Sequence, residues 1–135
     1  MVLVSGLCMR AIVPVVSDRE PYVISPHFGR SPYFALVDIK NDEHEVEVFE
    51  NPALRGGGGR LAHGGGGHGR LIVSFISSLN VKAVIVRSIG YRAFYHLRDL
   101  GIKVYETSER YLSEAIEKFK RGELRESKGP SRQHG

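Results

Sequence analysis

At 135 residues the chain has the size of one domain and the length to bury its own core. Its 41% hydrophobic and 25% charged residues are those of an ordinary globular protein, and a single cysteine, Cys8, excludes an internal disulfide framework or a four-cysteine metal site and fits a reducing cytoplasm. The formal charge of +4 is a mild basic bias suited to small anions; the sequence shows neither the basic stripe expected for nucleic acid nor a segment fit to cross a membrane.

The first eight residues (MVLVSGLC) lack the positive start of a signal peptide, and translation from Met9 would leave residues 1–8 as an accessory leader. Arg10 to Val16 (RAIVPVV) is a β-branched run that reads as a strand buried on both faces, with Pro14 placed near an unpaired position because it cannot donate to a ladder. Ser17 to Pro32 is polar, proline-broken and too long for a simple turn, the kind of loop that often carries function. Tyr33 to Ile39 and Glu45 to Phe49 read as a hairpin turned at Asn41-Asp42, with Val46 and Val48 on one face and Glu45, Glu47 and Phe49 on the other.

After Asn51-Pro52 comes GGGGRLAHGGGGHG, residues 56–69, with nine of the chain's sixteen glycines. Glycine surrenders the most backbone freedom on folding, so this run cannot be the middle of a helix or strand. Leu71, Ile72, Phe75, Ile76 and Leu79 then recur at helical spacing, predicting a helix from about Arg70 to Leu79, closed by Asn80. Val81 to Val86 is a buried strand. Ala93, Phe94, Leu97 and Leu100 mark a second helix ended by Gly101, and Ile102 to Tyr105 is a short strand. Thr107-Ser108 is positioned to cap a third helix, whose apolar face is Tyr111, Leu112, Ala115, Ile116 and Phe119. Residues 126–135 read as a disordered tail beyond a domain spanning 9–125.

Helices between the later strands imply parallel pairing with right-handed crossovers. The expected architecture is α/β: a single-domain, five-stranded mixed sheet with flanking helices, its parallel part made of the first, fourth and fifth strands and its hairpin at one edge. Ligands of such sheets bind beyond the carboxyl ends of the parallel strands. Three segments converge there: the loop after Val16, the turn Arg87 to Tyr91, and the turn Glu106 to Ser108. The glycine stretch can fold His63 and His68 toward one point, with His27 a third imidazole, or all three are solvent-exposed loop residues. Arg92 at a helix start opposes the dipole and is more easily explained by a nearby anion, the alternative for it and Arg30 being helix capping or pairing with an acid. His44 and His96 read as surface residues. The glycines do not make a phosphate-binding P-loop, which needs a strand before it and a Lys followed by Ser or Thr, nor a dinucleotide turn, which needs the first strand-to-helix connection.

Ser25-Pro26-His27-Phe28-Gly29-Arg30-Ser31-Pro32-Tyr33-Phe34, then Val37-Asp38, Glu50-Asn51-Pro52 and the glycine-rich loop, together resemble the dinitrogenase iron–molybdenum cofactor biosynthesis family. Ile89-Gly90-Tyr91-Arg92-Ala93-Phe94 and Gly101-Ile102-Lys103-Val104-Tyr105 resemble its second and third signatures, and Lys120-Arg121-Gly122-Glu123-Leu124 its usual ending. The family is similar to nitrogenase cofactor carriers and to the C-terminal domain of the cofactor synthase. The resemblance implies a ribonuclease H-like sheet and a cytoplasmic, non-catalytic carrier of an iron–sulfur or iron–molybdenum type cluster or its precursor. Expected site residues are then His63 and His68 as metal ligands, with His27, Arg30, Gly90 and Arg92 around the cofactor. Partners would be cluster donor or acceptor proteins, with the chain a monomer or weak homodimer. The alternatives are a small-anion or nucleotide-binding regulatory module using the glycine-rich loop, and an interaction module in which that loop is inert. Asp18, Asp38 and Asp99 fall on separate elements, which disfavours a hydrolase.

Overall fold

The computed structural model describes residues 8–53 and 67–129, side chains of 67–71 excepted. In chain order the elements are β1 (Cys8–Val15), β2 (Tyr33–Lys40), β3 (Glu43–Glu50), α1 (Gly67–Ser78), β4 (Ala83–Val86), α2 (Tyr91–Asp99), β5 (Lys103–Glu106), α3 (Leu112–Lys120) and β6 (Arg125–Glu126). They form one mixed sheet in the order β3-β2-β1-β4-β5-β6. The expected parallel trio is present, β1 beside β4 and β4 beside β5, with the β2–β3 hairpin antiparallel at one edge.

Alternation along the strands sorts the core into two layers. Ile12, Phe34, Leu36, Val84, Val86 and Val104 meet Ile72, Ile76, Phe94 and Leu97 of α1 and α2. Ala11, Val13, Val15, Val37, Ile39 and Ile85 face the other way and meet Leu112, Ala115 and Ile116 of α3. The hairpin obeys the same rule: Val46 and Val48 join the α3 layer, while Phe49 packs edge-on against Phe75 of α1, ring centroids 5.6 Å apart. Pro14 lies past the registered β1–β4 pairs, Ala11↔Ala83 and Ile12↔Val84, where a residue without an N–H is tolerated.

Two helix ends use glycine for its access to the left-handed region. Gly101 (φ 78°) follows α2, with the Gly101 and Ile102 N–H groups donating to the carbonyls of Arg98 (3.0 Å) and Leu97 (2.9 Å). Gly122 (φ 73°) ends α3 the same way, through Glu123 N–H to the Lys118 carbonyl at 2.9 Å.

The structure corrects the expectations at four places. Among the described residues the sheet has six strands, not five: Arg125 and Glu126 pair with Glu106 and Tyr105, and the Ser127 N–H donates to the Val104 carbonyl at 2.7 Å. Both residues of that strand are exposed, so no apolar pattern announces it; the pairing is carried by the backbone. The ordered sheet therefore continues past residue 125, into the segment read as tail, and it starts at Cys8, inside the segment read as leader. Helix α1 begins at Gly67, three residues before the predicted start at about Arg70. Thr107 does not cap α3, whose N-cap is Tyr111; its hydroxyl instead accepts the Glu109 N–H at 3.0 Å and closes a local turn.

Candidate functional site

The long connection from β1 to β2 splits into two parts at the carboxyl edge of the sheet. Residues 16–24 fold back on themselves, Val16 N–H donating to the Val23 carbonyl at 2.9 Å, and lean on the start of α3 through Ile24 N–H to the Arg110 carbonyl (2.8 Å) and Leu112 N–H to the Tyr22 carbonyl (2.9 Å). Residues 25–32 cross to the other side and frame the candidate site.

That second part is held by backbone bonds at its two ends, Ser25 N–H to the Pro14 carbonyl (2.8 Å) and Asn51 N–H to the Pro32 carbonyl (3.0 Å), and by small polar side chains bonding to backbone. The Ser25 hydroxyl donates to the His27 carbonyl at 2.9 Å. Ser31 Oγ lies 2.7 Å from the Tyr33 carbonyl and 3.0 Å from that of Val15, tying the loop to the ends of two strands. Asn51, at the end of β3, donates from Nδ2 to the carbonyls of Gly29 (3.1 Å) and Ser31 (2.7 Å) and accepts the Ala53 N–H at 2.8 Å. Ser25, Ser31 and Asn51 are all buried, so leaving one of these side chains without its partner would be costly. Phe28 anchors the middle of the loop, its ring 5.5 Å from that of Phe34.

One further bond joins this loop to the turn before α2: the Ser88 hydroxyl donates to the Pro26 carbonyl at 2.7 Å. It places the segment carrying His27 and Arg30 beside the segment carrying Gly90 and Arg92. His27, Arg30 and Arg92 are all exposed, and Ile89 is buried with Phe28 in the same core layer. Gly90 is the N-cap of α2 in an extended conformation (φ −78°, ψ 165°), with no side chain capping the helix and no acidic residue in its first turn. The positive end of the helix dipole therefore meets Arg92 without local compensation, an arrangement that favours an anion.

Of the expected site residues, His27, Arg30, Gly90 and Arg92 are thus brought to one edge of the molecule, on two segments linked by a hydrogen bond. His63 lies outside the described residues; His68 falls in the first turn of α1, its side chain outside the description. Among the described residues no three His, Cys, Asp or Glu side chains gather as a metal site, and no helix is long and apolar enough to cross a membrane. His44 and His96, read as surface residues, are each half-buried. The His44 imidazole has its pKa lowered from 6.5, first by burial and then by the Lys120 ammonium, with Glu117 opposing.

Sequence reasoning passed over Asn51, Ser31 and Ser88, which build the frame. The signal was present in residue type: Asn and Ser in an irregular segment bond readily to neighbouring backbone.

Comparison with known proteins bears on what such a frame holds. A family model described as dinitrogenase iron-molybdenum cofactor matches residues 9–122. An uncharacterized protein of Methanocaldococcus jannaschii is 35% identical over 117 residues, covering 86% of this chain and 89% of that protein. The crystal structure of PH0822 is similar at 33% identity and a TM-score of 0.68, covering 89% of this chain and 97% of that one. The apo form of the orange protein from Desulfovibrio gigas superposes with a TM-score of 0.77 over 95% of this chain and all of that one; at 23% identity it is a likeness of fold. None of these relatives points to the nucleotide alternative. The match over nearly the whole sheet, from β1 through the glycine that ends α3, shows that the chain belongs to the dinitrogenase iron-molybdenum cofactor family.

Proposed function

We propose that this protein binds and carries, without chemical turnover, an iron–sulfur or iron–molybdenum type cluster or its precursor at the carboxyl edge of the sheet. The reading rests on one observation within that family setting: the Ser88–Pro26 hydrogen bond sets the exposed His27 and Arg30 beside Gly90 and Arg92 at an uncapped helix start. A metal–sulfur cluster is anionic and brings its own sulfides. It needs from its carrier a few neutral nitrogen ligands and surrounding positive charge. His27 offers an imidazole, His63 and His68 of the glycine-rich segment two more, and the arginines with the α2 terminus offset the charge. Few protein ligands would leave the cargo exchangeable, which suits transfer between a donor and an acceptor protein in the cytoplasm, with the carrier a monomer or weak homodimer. We read β1 to β5 as the ribonuclease H-like sheet that the family resemblance implies.

The test is anaerobic reconstitution of the full chain with ferrous iron and sulfide, and in parallel with a thiomolybdate, followed by metal analysis and visible spectroscopy. Bound iron with visible absorption is expected, lost in the His63→Ala, His68→Ala double variant and weakened in His27→Ala. Full iron stoichiometry in the double variant would overturn these ligands; no uptake by the unmodified chain would overturn the carrier.

A further inference from the structure

Five large apolar side chains are exposed among the described residues, and three of them, Tyr91 (44%), Tyr95 (43%) and Leu100 (51%), belong to α2 or its C-cap. Tyr91, Tyr95 and Arg98 stand at i, i+4 and i+7 and so share one flank of the helix. The Arg98 guanidinium lies over the Tyr95 ring, 5.5 Å from its centroid, and that ring meets Phe94 in a T-shaped contact with centroids 5.1 Å apart. The stacking fixes a planar, permanently charged fork on a rigid aromatic base. Arg87 and Arg92, both exposed, extend the positive charge toward the candidate site, and Asp99 is the only acid in the helix. Exposed Tyr and Arg held in fixed geometry are the residues that carry most binding energy at protein interfaces.

We infer that this face of α2 docks a protein partner through an acidic, partly apolar segment: carboxylates pairing with Arg98 and Arg92, and an apolar side chain lying against Tyr91 and Tyr95. A carboxylate matches the guanidinium fork two oxygens to two N–H groups. A nucleic acid is the poorer fit, because three arginines and no lysine over the helix and its preceding turn make a short footprint for a phosphate backbone. Tyr91 adjoins Gly90, so a docked partner would reach the candidate site directly. The partner's role as donor or acceptor of the cargo rests on the carrier reading above; the docking itself does not.

The experiment measures binding of the full chain, without cargo, to a ferredoxin of strongly acidic sequence in its apo form, by fluorescence anisotropy at low and moderate salt. Salt-sensitive binding is expected, weakened about tenfold or more by Tyr95→Ala and by Arg98→Glu. Arg121→Glu, the same charge change at the C-cap of α3, should leave it unchanged, and Arg98→Lys should fall between. Equal loss in Arg98→Glu and Arg121→Glu would reduce the effect to net charge and overturn the docking face. So would absence of binding, or a stronger Arg98-dependent affinity for a single-stranded oligonucleotide. Docking that persists in a chain unable to take up iron would sink the carrier reading alone.

Discussion

The two ends of the β2–β3 hairpin are secured by different physics. At the carboxyl edge, where β2 starts and β3 stops, Ser31 and Asn51 are at most 1% exposed and bond to backbone carbonyls, the Ser31–Val15 and Asn51–Ser31 bonds fully buried. At the far end the Asn41–Asp42 turn, with Asn41 at φ 58°, is met by the C-terminal turn of α3: the Lys120 ammonium donates to the Asp42 carbonyl at 2.7 Å and to Glu117 at 3.3 Å. Neutral, buried hydrogen bonds hold a geometry regardless of pH or salt. Bonds made by partly hydrated charges adjust with both. The end that frames the candidate site is the one built to keep its shape.

Asn51→Ala strikes the buried end hardest. It strands the Gly29 and Ser31 carbonyls and the Ala53 N–H together, and should cost about 2 to 3 kcal/mol of unfolding free energy in urea titration. A loss within about 0.5 kcal/mol, the range of ordinary surface changes, would show that the frame does not depend on this side chain. Ser88→Ala removes one partly exposed bond and should cost about 0.5 to 1.5 kcal/mol, with faster amide exchange concentrated in residues 25–30. If exchange accelerated uniformly instead, Ser88 would not be the link between the loop and α2. The smallest effect lies at the hydrated end. His44 has a folded-state pKa below 6.5, so the unfolded chain binds the proton more readily. Its contribution to stability is complete above pH 6.5 and declines as pH falls through that value toward the lowered one. His44→Gln should flatten this part of the stability profile between pH 7.5 and pH 5.5 while leaving the upper plateau, and an unchanged slope would assign the pH dependence to other groups.

The sheet and its order were readable because burial wrote them into the residue pattern. The alternation at Val46, Glu47, Val48 and Phe49 marks a strand with two unlike faces, and the 3.6-residue recurrence from Leu71 to Leu79 marks a helix. What escaped notice carries no such pattern. Arg125 and Glu126 join the sheet by backbone pairing alone, and Gly67 enters α1 although glycine is a poor helix former, since position in the fold outweighs intrinsic propensity. The candidate site was half readable. The carboxyl-end rule brings His27, Arg30, Gly90 and Arg92 to one edge, but the hydrogen bonds that fix them come from Ser31, Asn51 and Ser88, whose partners lie up to 62 residues away in sequence. The exposed aromatic and arginine flank of α2 was also passed over, because its meaning depends on which side of the helix the core occupies.

The acidic edge of the sheet has a consequence for solubility. Strand β3 is the terminal strand, eight residues long, and its exposed positions include Glu43, Glu45 and Glu47. A second copy laid antiparallel along it with Val46 opposite Val46 brings Glu45 opposite Glu47. Like charges directly across a strand pair oppose growth of the sheet from molecule to molecule. The strand thus carries its own guard against fibrous aggregation.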